Sequence, residues 1–452
     1  MYNYINHAAR LIAASFPAEA IMKKALDQKE LNERISLNAQ RLESGDYYRI
    51  AEVFDTHAAR WPGDKEGRAL LAFVSHYKIN GRKIECMDKM IDEMDAHTNE
   101  QSCFGPLSSN TEFFEQQLSG HSWLLRGLCE YYEQFSDERA LAQVNKIVKN
   151  LYFPTKNKYS TYPTIRDGAL SGGVSGNSLN TINGWKLSSD VGCAFMSIDG
   201  LSHAYAITRD EEIRDLVDEM IDTYLAIDKL KLKVQTHCTL TAARGMMRMY
   251  SLTREKKYLD GATDIYNLYV LDGGMTYTYQ NANWWGRNDT WTEPCAIVDS
   301  LMLATELYLT TGNESYRETA ARVYHNGFAT AQRDNGGAGT DTVVTALEGG
   351  TDTLKSKMYE AYFCCTMRLA EGLWFANKNK DLLYATVNGK VEKDSAGVYR
   401  DGDIIYAELN PDGEKYATET VTVDGKKLSP ILKYYRIPKD EFEKITQKII
   451  FQ

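Results

Sequence analysis

Hydrophobic residues recur at helical spacing along the chain up to about residue 380. The clearest example follows a polar turn at 208–211, where one face is formed by Ile213, Leu216, Val217, Met220, Ile221, Tyr224 and Leu225. A stripe with this period indicates an amphipathic helix that must pack against a neighbour. Polar turns also occur at 79–82, 135–138, 253–256 and 311–314, each between two helical segments. The pattern therefore predicts a repeated helical hairpin.

The repeat is irregular, because the distance between successive turns varies and long segments interrupt it. A hairpin that cannot bury its own apolar face must stack on its neighbours. An open solenoid would be more regular, whereas a closed ring accommodates long loops at one end. We therefore predict a mainly α protein, an (α/α)6 toroid of helical hairpins spanning residues 1–379.

The pattern changes to short alternating runs near the C-terminus. Runs of this kind separated by Asn-Gly or Asp-Gly are a strong signal for β-hairpins. The runs are at 382–387, 404–409 and 421–423, and the dipeptides are Asn388-Gly389, Asp401-Gly402 and Asp424-Gly425. Residues 380–452 are predicted to form a small β-rich module.

Two long segments without helical periodicity, at 154–192 and 272–294, are the candidate functional loops. The second is rich in aromatic residues, namely Tyr277, Tyr279, Trp284, Trp285 and Trp291. Such rings can stack on the apolar faces of sugars. The alternative is that they anchor the loop to the helices. We predict a ligand surface that includes Tyr279, Trp284 and Trp285.

Composition and charge exclude several classes of protein. Of the 452 residues, 43% are hydrophobic and 25% charged, which is ordinary for a soluble globular protein, and the net charge is −10. No basic run indicates nucleic acid binding, and no apolar run approaches the roughly 18–20 residues of a membrane span. Arg10 interrupts the apolar residues that a signal peptide would need, so the sequence leaves two locations open: cytoplasmic, or secreted or periplasmic if a signal was removed. The sequence does not indicate an oligomeric state.

The cysteines offer the most specific chemistry in the chain. Glu293 and Cys295 lie close together, and Cys364-Cys365 precedes a helical segment. A carboxylate and three thiolates complete the tetrahedral ligand shell of a zinc ion, and a helix N-terminus stabilises a thiolate. The alternative is that these thiols are buried small hydrophobes. No CxxC spacing supports the metal site independently.

His121 and His237 each lie at the start of an apolar helical segment, where a toroid forms its cleft. A single histidine is otherwise commonly a core or surface residue. The chain has no phosphate-binding Gly-rich loop, no GxSxG and no HExxH, which argues against nucleotide chemistry, serine hydrolases and zincins.

Several motifs together resemble glycoside hydrolase family 127, the β-L-arabinofuranosidase-like enzymes with an (α/α)6 barrel. The resemblance spans residues 60–390 and is strongest at 270–376. It rests on Asn288-Asp289-Thr290, Glu293-x-Cys295, Thr311-Gly312, Tyr324-His325-Asn326-Gly327 and Cys364-Cys365. The positions of His121 and His237 also match places where the family has sugar-contacting histidines.

The resemblance implies a zinc-dependent retaining glycosidase. Its four zinc ligands would be Glu293, Cys295, Cys364 and Cys365. Cys364 would also be the nucleophile that attacks the anomeric carbon, because zinc holds a thiolate at neutral pH. His121, His237 and Trp285 would line the pocket for an oligosaccharide or glycoside.

The chain departs from the family in three places. The family's general acid is a glutamate in the loop before the metal site. Here the corresponding loop, residues 273–281, contains no carboxylate, and the first one that follows it is Asp289. Thr366-Met367 follows the cysteine pair where the family has proline, and the β-rich portion is shorter. Asp289 is therefore the candidate proton donor, with Glu360 or a histidine as substitutes.

The sequence thus predicts a zinc-dependent retaining glycoside hydrolase. Two alternatives stay open. One is a metal-free (α/α)-barrel enzyme, such as a sugar epimerase or an unsaturated-uronyl hydrolase. The other is a non-catalytic sugar-binding protein in which zinc is structural.

Overall fold

The structure is a computed structural model. It describes residues 21–24, 26–44, 48–54, 60–164, 176–276, 279–287, 290–340 and 360–388, together with the strands that follow residue 397. Two compact units are present, one formed by Leu26–Leu383 and the other by Met1–Ala25 with Tyr384–Gln452. The predicted loop residues 165–175 lie outside the described part.

Within the described ranges, the larger unit has twelve α-helices of nine or more residues. In chain order they are α1 Gln28–Glu43, α2 Asp64–Asn80, α3 Glu85–His97, α4 Glu115–Phe135, α5 Glu138–Ile147, α6 Ser197–Thr208, α7 Glu211–Ala226, α8 Thr236–Thr253, α9 Lys256–Leu271, α10 Pro294–Thr311, α11 Glu314–Arg322 and α12 Cys365–Lys378. Shorter helical turns cover Ile50–Val53, Val148–Tyr152, Phe153–Thr155, Tyr159–Thr161, Cys193–Met196, Val323–Phe328, Ala329–Ala331 and Lys380–Leu382.

The even-numbered helices form a closed inner ring. Each packs against the next from α2 through α12, and α12 packs back against α2. The odd-numbered helices lie outside, with α3 on α2, α5 on α4, and so on to α11 on α10. Helix α1 packs on α12, so the first and last helices of the unit make the sixth hairpin. The predicted (α/α)6 toroid is confirmed.

The hairpin turns share one local design. Helices α2, α4, α6, α8 and α10 each end at a residue with positive φ: Gly81, Ser136, Arg209, Arg254 and Gly312. A left-handed residue there closes the last helical turn. In three turns the next residue caps the outer helix, because the side chains of Asp137, Asp210 and Asn313 accept hydrogen bonds from its first backbone N–H groups. Connections of two residues in four hairpins, and of four residues between α2 and α3, therefore keep inner and outer helices antiparallel.

The strands are short. Within the barrel unit, β2 Phe113–Phe114, β4 Trp185–Ser188 and β3 Ser178–Ile182 form one sheet in the order β2-β4-β3. In the other unit, β1 Ile21–Lys24 pairs antiparallel with β5 Ala385–Asn388. Two antiparallel sheets have the orders β10-β7-β6 and β11-β8-β9. Their strands are β6 Val398–Asp401, β7 Ile404–Glu408, β8 Val421–Val423, β9 Lys426–Leu428, β10 Tyr434–Pro438 and β11 Ile450–Phe451.

The predicted hairpins at Asp401-Gly402 and Asp424-Gly425 correspond to the antiparallel pairs β6 with β7 and β8 with β9. The predicted C-terminal β-rich module is thus confirmed as part of the fold class. Among the described residues, no helix has the length and apolar character needed to cross a membrane.

Candidate metal and active site

Four side chains from two distant segments meet at the N-terminal ends of α10 and α12. They are Glu293, Cys295, Cys364 and Cys365, and one ligand atom from each lies within 4.8 Å of the others. Cys295 and Cys365 are fully buried, whereas Glu293 and Cys364 are partly exposed. The structure therefore brings together the four ligands that the sequence predicts.

Local structure explains this convergence. Glu293 caps α10, and Pro294 at the first helical position begins the helix without leaving an N–H unpaired. The backbone N–H of Glu293 donates to Asn281 Oδ1 at 2.8 Å, which ties the aromatic loop to the helix start. Cys364 caps α12, and Cys365 is its first residue. Both helix dipoles thus favour negative charge at the cluster.

The distances suit a tetrahedral thiophilic metal. The Sγ atoms of Cys295 and Cys365 are 3.4 Å apart, as are those of Cys364 and Cys365. With zinc–sulfur bonds of about 2.3 Å, tetrahedral sulfur atoms lie about 3.8 Å apart. A few tenths of an ångström of adjustment would let the three thiolates and Glu293 hold one zinc ion.

The three thiols differ in their electrostatic surroundings. Burial opposes ionisation of Cys295, but its side-chain hydrogen bonds with Cys364 and Cys365 and the charge of Arg68 hold its pKa well below the usual range. The pKa of Cys364 is raised well above its ordinary value, chiefly because its thiol donates to Cys295. The pKa of Cys365 is also raised well above its ordinary value, and burial is the largest cause. The surroundings of Cys295 thus favour its thiolate form.

His237, near the start of α8, contacts the cluster directly. Its Nδ1 is 2.9 Å from Glu293 Oε1, and its Nε2 is 3.5 Å from Asp299 Oδ2. Burial lowers the pKa of His237, but the Glu293 and Asp299 carboxylates outweigh it and raise the pKa to about 10. A second contact to Glu293 comes from Gln235, whose Nε2 lies 3.3 Å from Oε2. Glu293 is thus oriented through both oxygens.

Arg68 and Trp123 complete the floor of the site, and sequence reasoning missed both. Arg68 Nη1 donates to Cys295 Sγ at 3.4 Å, and Arg68 Nε donates to Asp64 Oδ2 at 2.8 Å. The guanidinium lies 4.0 Å from the centroid of the buried Trp123 ring. That ring also stacks on His237 and receives Arg368 4.5 Å from its centroid. No local motif distinguishes these residues in the sequence.

Below this floor lies a buried network of ion pairs between inner helices. Asp299 accepts from Arg368 at 2.5 Å and from Arg244 at 3.2 Å. Glu371 pairs with Arg368 and, at 2.8 Å, with Arg126. Arg368 and Arg244 hold the pKa of Asp299 far below its usual range despite its burial. Asp299 therefore connects the imidazole of His237 to the buried arginines of the inner helices.

His121 is placed differently. Its Nδ1 is 2.8 Å from the carbonyl of Gln117, and its Nε2 accepts from the backbone N–H of Phe104 at 3.0 Å. The side chain is fully buried, and burial lowers its pKa to about 4. It is a neutral histidine with both nitrogens engaged. Its predicted contact with sugar stays a prediction.

The aromatic loop packs inward. Trp284 and Trp285 are 0% and 1% exposed, and Tyr279 is 8% exposed with φ of 58°. Trp284 contacts Trp291 edge-on at 4.7 Å and carries the Arg287 guanidinium 3.9 Å above its ring. These contacts anchor the loop beside Glu293. Whether the three aromatic residues also line a sugar pocket stays a prediction.

The candidates for the proton donor have different outcomes. Asp289 lies outside the described residues. Glu360 is fully engaged, because its carboxylate accepts two hydrogen bonds from Arg41 and others from Asn335 and Thr366. Burial alone would raise the pKa of Glu360, but these hydrogen-bond partners outweigh burial and lower it. Glu360 is therefore unsuited to donate a proton at neutral pH.

A second group of possible ligand atoms, Glu130, Glu133 and His203, lies on α4 and α6. Glu130 already pairs with Lys78 and Arg126, and Arg126 also faces His203 Nδ1. The positive charges of Lys78 and Arg126 beside these side chains would repel a metal ion. We interpret it as an ion-pair cluster.

The sequence matches no protein-family model and no curated protein. Solved structures nevertheless share the fold. A glycoside hydrolase family 127 β-L-arabinofuranosidase from Geobacillus stearothermophilus T6 has a TM-score of 0.55 at 10% identity, covering 93% of this chain and 80% of that chain. A second family 127 β-arabinofuranosidase gives 0.52 at 12% identity, covering 92% and 77%. An unsaturated glucuronyl hydrolase specific for heparin gives 0.52 at 12% identity, covering 79% and 100%. The fold is thus one that sugar-active enzymes use.

Proposed function

We propose that this protein is a zinc-dependent retaining glycoside hydrolase with a cysteine nucleophile. The observation that supports this most is the convergence of Glu293, Cys295, Cys364 and Cys365 at the inner-helix N-termini of an (α/α)6 barrel. A carboxylate and three thiolates form a donor set that suits zinc and disfavours magnesium or calcium. Bound there, zinc would keep the thiolates ionised at neutral pH.

Cys364 is the proposed nucleophile, because this residue is partly exposed whereas Cys295 and Cys365 are buried. Its thiolate attacks the anomeric carbon, a C–S bond forms, and the bond to the leaving oxygen breaks with its electron pair on oxygen. The proposed proton donor to that oxygen is Asp289. Water then displaces the sulfur, giving its proton to the Asp289 carboxylate, and the thiolate is restored. Two inversions retain the anomeric configuration.

The substrate class we propose is an oligosaccharide or glycoside with a terminal furanoside. The family 127 neighbours are named as β-arabinofuranosidases, so β-L-arabinofuranosides are the first compounds to test. His237 lies beside Glu293 and Trp123, where a sugar hydroxyl near the metal would meet it. His121, Tyr279, Trp284 and Trp285 are the further sugar contacts proposed from the sequence.

The first prediction concerns metal content and Cys364→Ser. Purified protein should hold about one zinc ion per chain by elemental mass spectrometry, and should cleave an aryl furanoside in a panel of furanosides and pyranosides. Because serine is a far weaker nucleophile than a zinc-held thiolate, Cys364→Ser should lower kcat/KM by about 10³-fold or more. A slow substrate should leave a glycosyl adduct on the peptide that contains Cys364.

Cys86→Ser is the matched control, because Cys86 is also partly exposed but lies on outer helix α3. It should keep zinc and activity. Turnover without zinc would favour a metal-free barrel enzyme such as the unsaturated glucuronyl hydrolase that shares the fold. Stoichiometric zinc with sugar binding but no turnover across the panel would favour a binding protein.

A further inference from the structure

We propose that Arg68 is a positioning residue that gives the three cysteines different roles. It fixes Cys295 as a permanent metal ligand and leaves Cys364 as the thiolate that reacts. This inference rests on the proposed function, since it concerns how the same ligand set is tuned.

The ligand set carries excess negative charge. One carboxylate and three thiolates contribute four negative charges, of which a zinc ion neutralises two. A buried net charge is costly unless cations or hydrogen-bond donors compensate it. Cys295 is fully buried, and Arg68, only 4% exposed, donates to its sulfur from 3.4 Å. Arg68 therefore places a fixed positive charge against the most buried anion of the set.

The guanidinium is held in one orientation. Asp64, one helical turn earlier on α2, accepts from Arg68 Nε at 2.8 Å. The Trp123 ring supports the guanidinium plane from 4.0 Å, which adds a cation–π contact. A planar fork held on two sides can direct one N–H at a single sulfur, which a flexible lysine cannot reproduce.

A hydrogen bond withdraws electron density from a metal-bound thiolate and reduces its reactivity. Cys295 has this donor. Among the described residues, no cationic side chain donates to Cys364 Sγ, whose hydrogen-bond partners are the neighbouring thiols. The two residues thus differ in exposure and in whether a guanidinium N–H donates to the sulfur. Cys364 retains the electron-rich sulfur and Cys295 the stable one.

The test replaces zinc by cobalt in the full-length protein, because cobalt–thiolate charge-transfer bands report the electron density on sulfur. Arg68→Met keeps the length of the side chain and removes both charge and donors. Its bands should move to lower energy, and its zinc affinity at neutral pH should fall about 10-fold or more in competition with a chelator. Arg68→Lys should give an intermediate band shift.

Arg317→Met is the matched control, because Arg317 is equally buried but lies on outer helix α11. It should leave the bands and zinc affinity unchanged even if it lowers stability. If Arg68→Met does not fold, Arg68→Lys decides the question. Cobalt bands and metal affinity unchanged in the folded Arg68 variant would overturn this inference alone. Failure of the wild-type protein to bind zinc or cobalt would instead overturn the proposed function.

Discussion

Cys364 and Cys365 are adjacent in the chain yet have different surroundings. Cys364 is the N-cap residue of α12, with φ of −149° and ψ of −62°, and it is partly exposed. Cys365 is the first residue of α12 and is 1% exposed. One step along the chain thus separates a partly exposed cysteine from a buried one. This difference is backbone geometry, so both residues must be kept in register with the start of the helix.

Histidine titration gives a prediction at the residue scale. His121 has a folded-state pKa of about 4, against an ordinary value of 6.5. Between these values the unfolded chain binds a proton that the folded protein does not, so stability falls as pH falls from 6.5 to 4. Each pKa unit corresponds to about 1.4 kcal/mol. His121→Gln, which cannot titrate, should reduce the loss of unfolding free energy between pH 6.5 and 4.5 by about 2 kcal/mol.

The measurement is urea unfolding at a series of pH values with a chelator present, so that metal release does not contribute. Asn32→Ala is the control, because it changes a side chain that does not titrate on the exposed face of α1, and it should keep the wild-type pH dependence. A His121 variant with the wild-type slope would contradict the prediction.

Sequence reasoning singled out the proposed metal ligands and His237 because each lies at or next to a helix start. It also predicted a helix start at His121, but α4 begins at Glu115, so His121 lies well inside that helix, and only the fold shows which residues face it. Arg68 lies 227 positions from the cysteine that it contacts, and nothing near it in the sequence marks that contact. Long-range partners of this kind require the three-dimensional structure.

At the scale of helices, glycines set how closely the inner ring packs. A Cβ atom on Gly67 of α2 would lie 2.2 Å from the backbone nitrogen of Leu124 on α4. On the other side of the contact, a Cβ on Gly127 would lie 2.5 Å from the carbonyl oxygen of Gly67. Here backbone meets backbone, and no side-chain rotation can relieve a clash. These two glycines therefore determine the spacing between α2 and α4.

Gly67→Ala should accordingly lower the unfolding free energy by about 3 kcal/mol or more, measured by denaturant titration, because the two helices must separate. Gly261→Ala is the matched control on outer helix α9. Its added methyl would meet the ends of the flexible Leu225 and Met246 side chains at 3.0 and 3.2 Å. A gain in helix propensity of up to about 1 kcal/mol offsets that crowding, so stability should change little. Equal effects of the two substitutions would argue against backbone contact as the cause.

Five helical hairpins were predictable from local signals, because the polar turns at 79–82, 135–138, 208–211, 253–256 and 311–314 each contain the end of one helix, and the last four also contain the start of the next. The sixth hairpin has no such turn. Helices α1 and α12 come from opposite ends of the unit, and no local pattern could pair them. The ring was inferred from irregular spacing, whereas the pair that closes it appears only in the structure.

At the scale of the whole barrel, Asn38 on α1 links this closing hairpin to the metal site. Its buried Nδ2 donates to the carbonyls of Gly336 at 2.9 Å and Thr366 at 3.1 Å, and its Oδ1 pairs with His76 Nε2 at 2.9 Å. Thr366 directly follows Cys365. One side chain therefore joins the outer helix α1, the inner helix α2 and the first turn of α12, so closure of the ring and the position of the cysteine pair depend on the same hydrogen bonds.

Asn38→Leu should leave three buried polar groups without their partner, at a cost of about 1–3 kcal/mol each before relaxation. We expect unfolding free energy to fall by about 3 kcal/mol and zinc to transfer to a chelator at least several-fold faster, because the start of α12 loses a support. Asn32→Ala, on the exposed face of the same helix, removes only a hydrogen bond with Gln28 and should change neither quantity. If Asn38→Leu lowered stability without accelerating zinc transfer, closure of the barrel and geometry of the metal site would be independent. If both changed together, the helix that closes the ring would be part of what holds Cys365 in place.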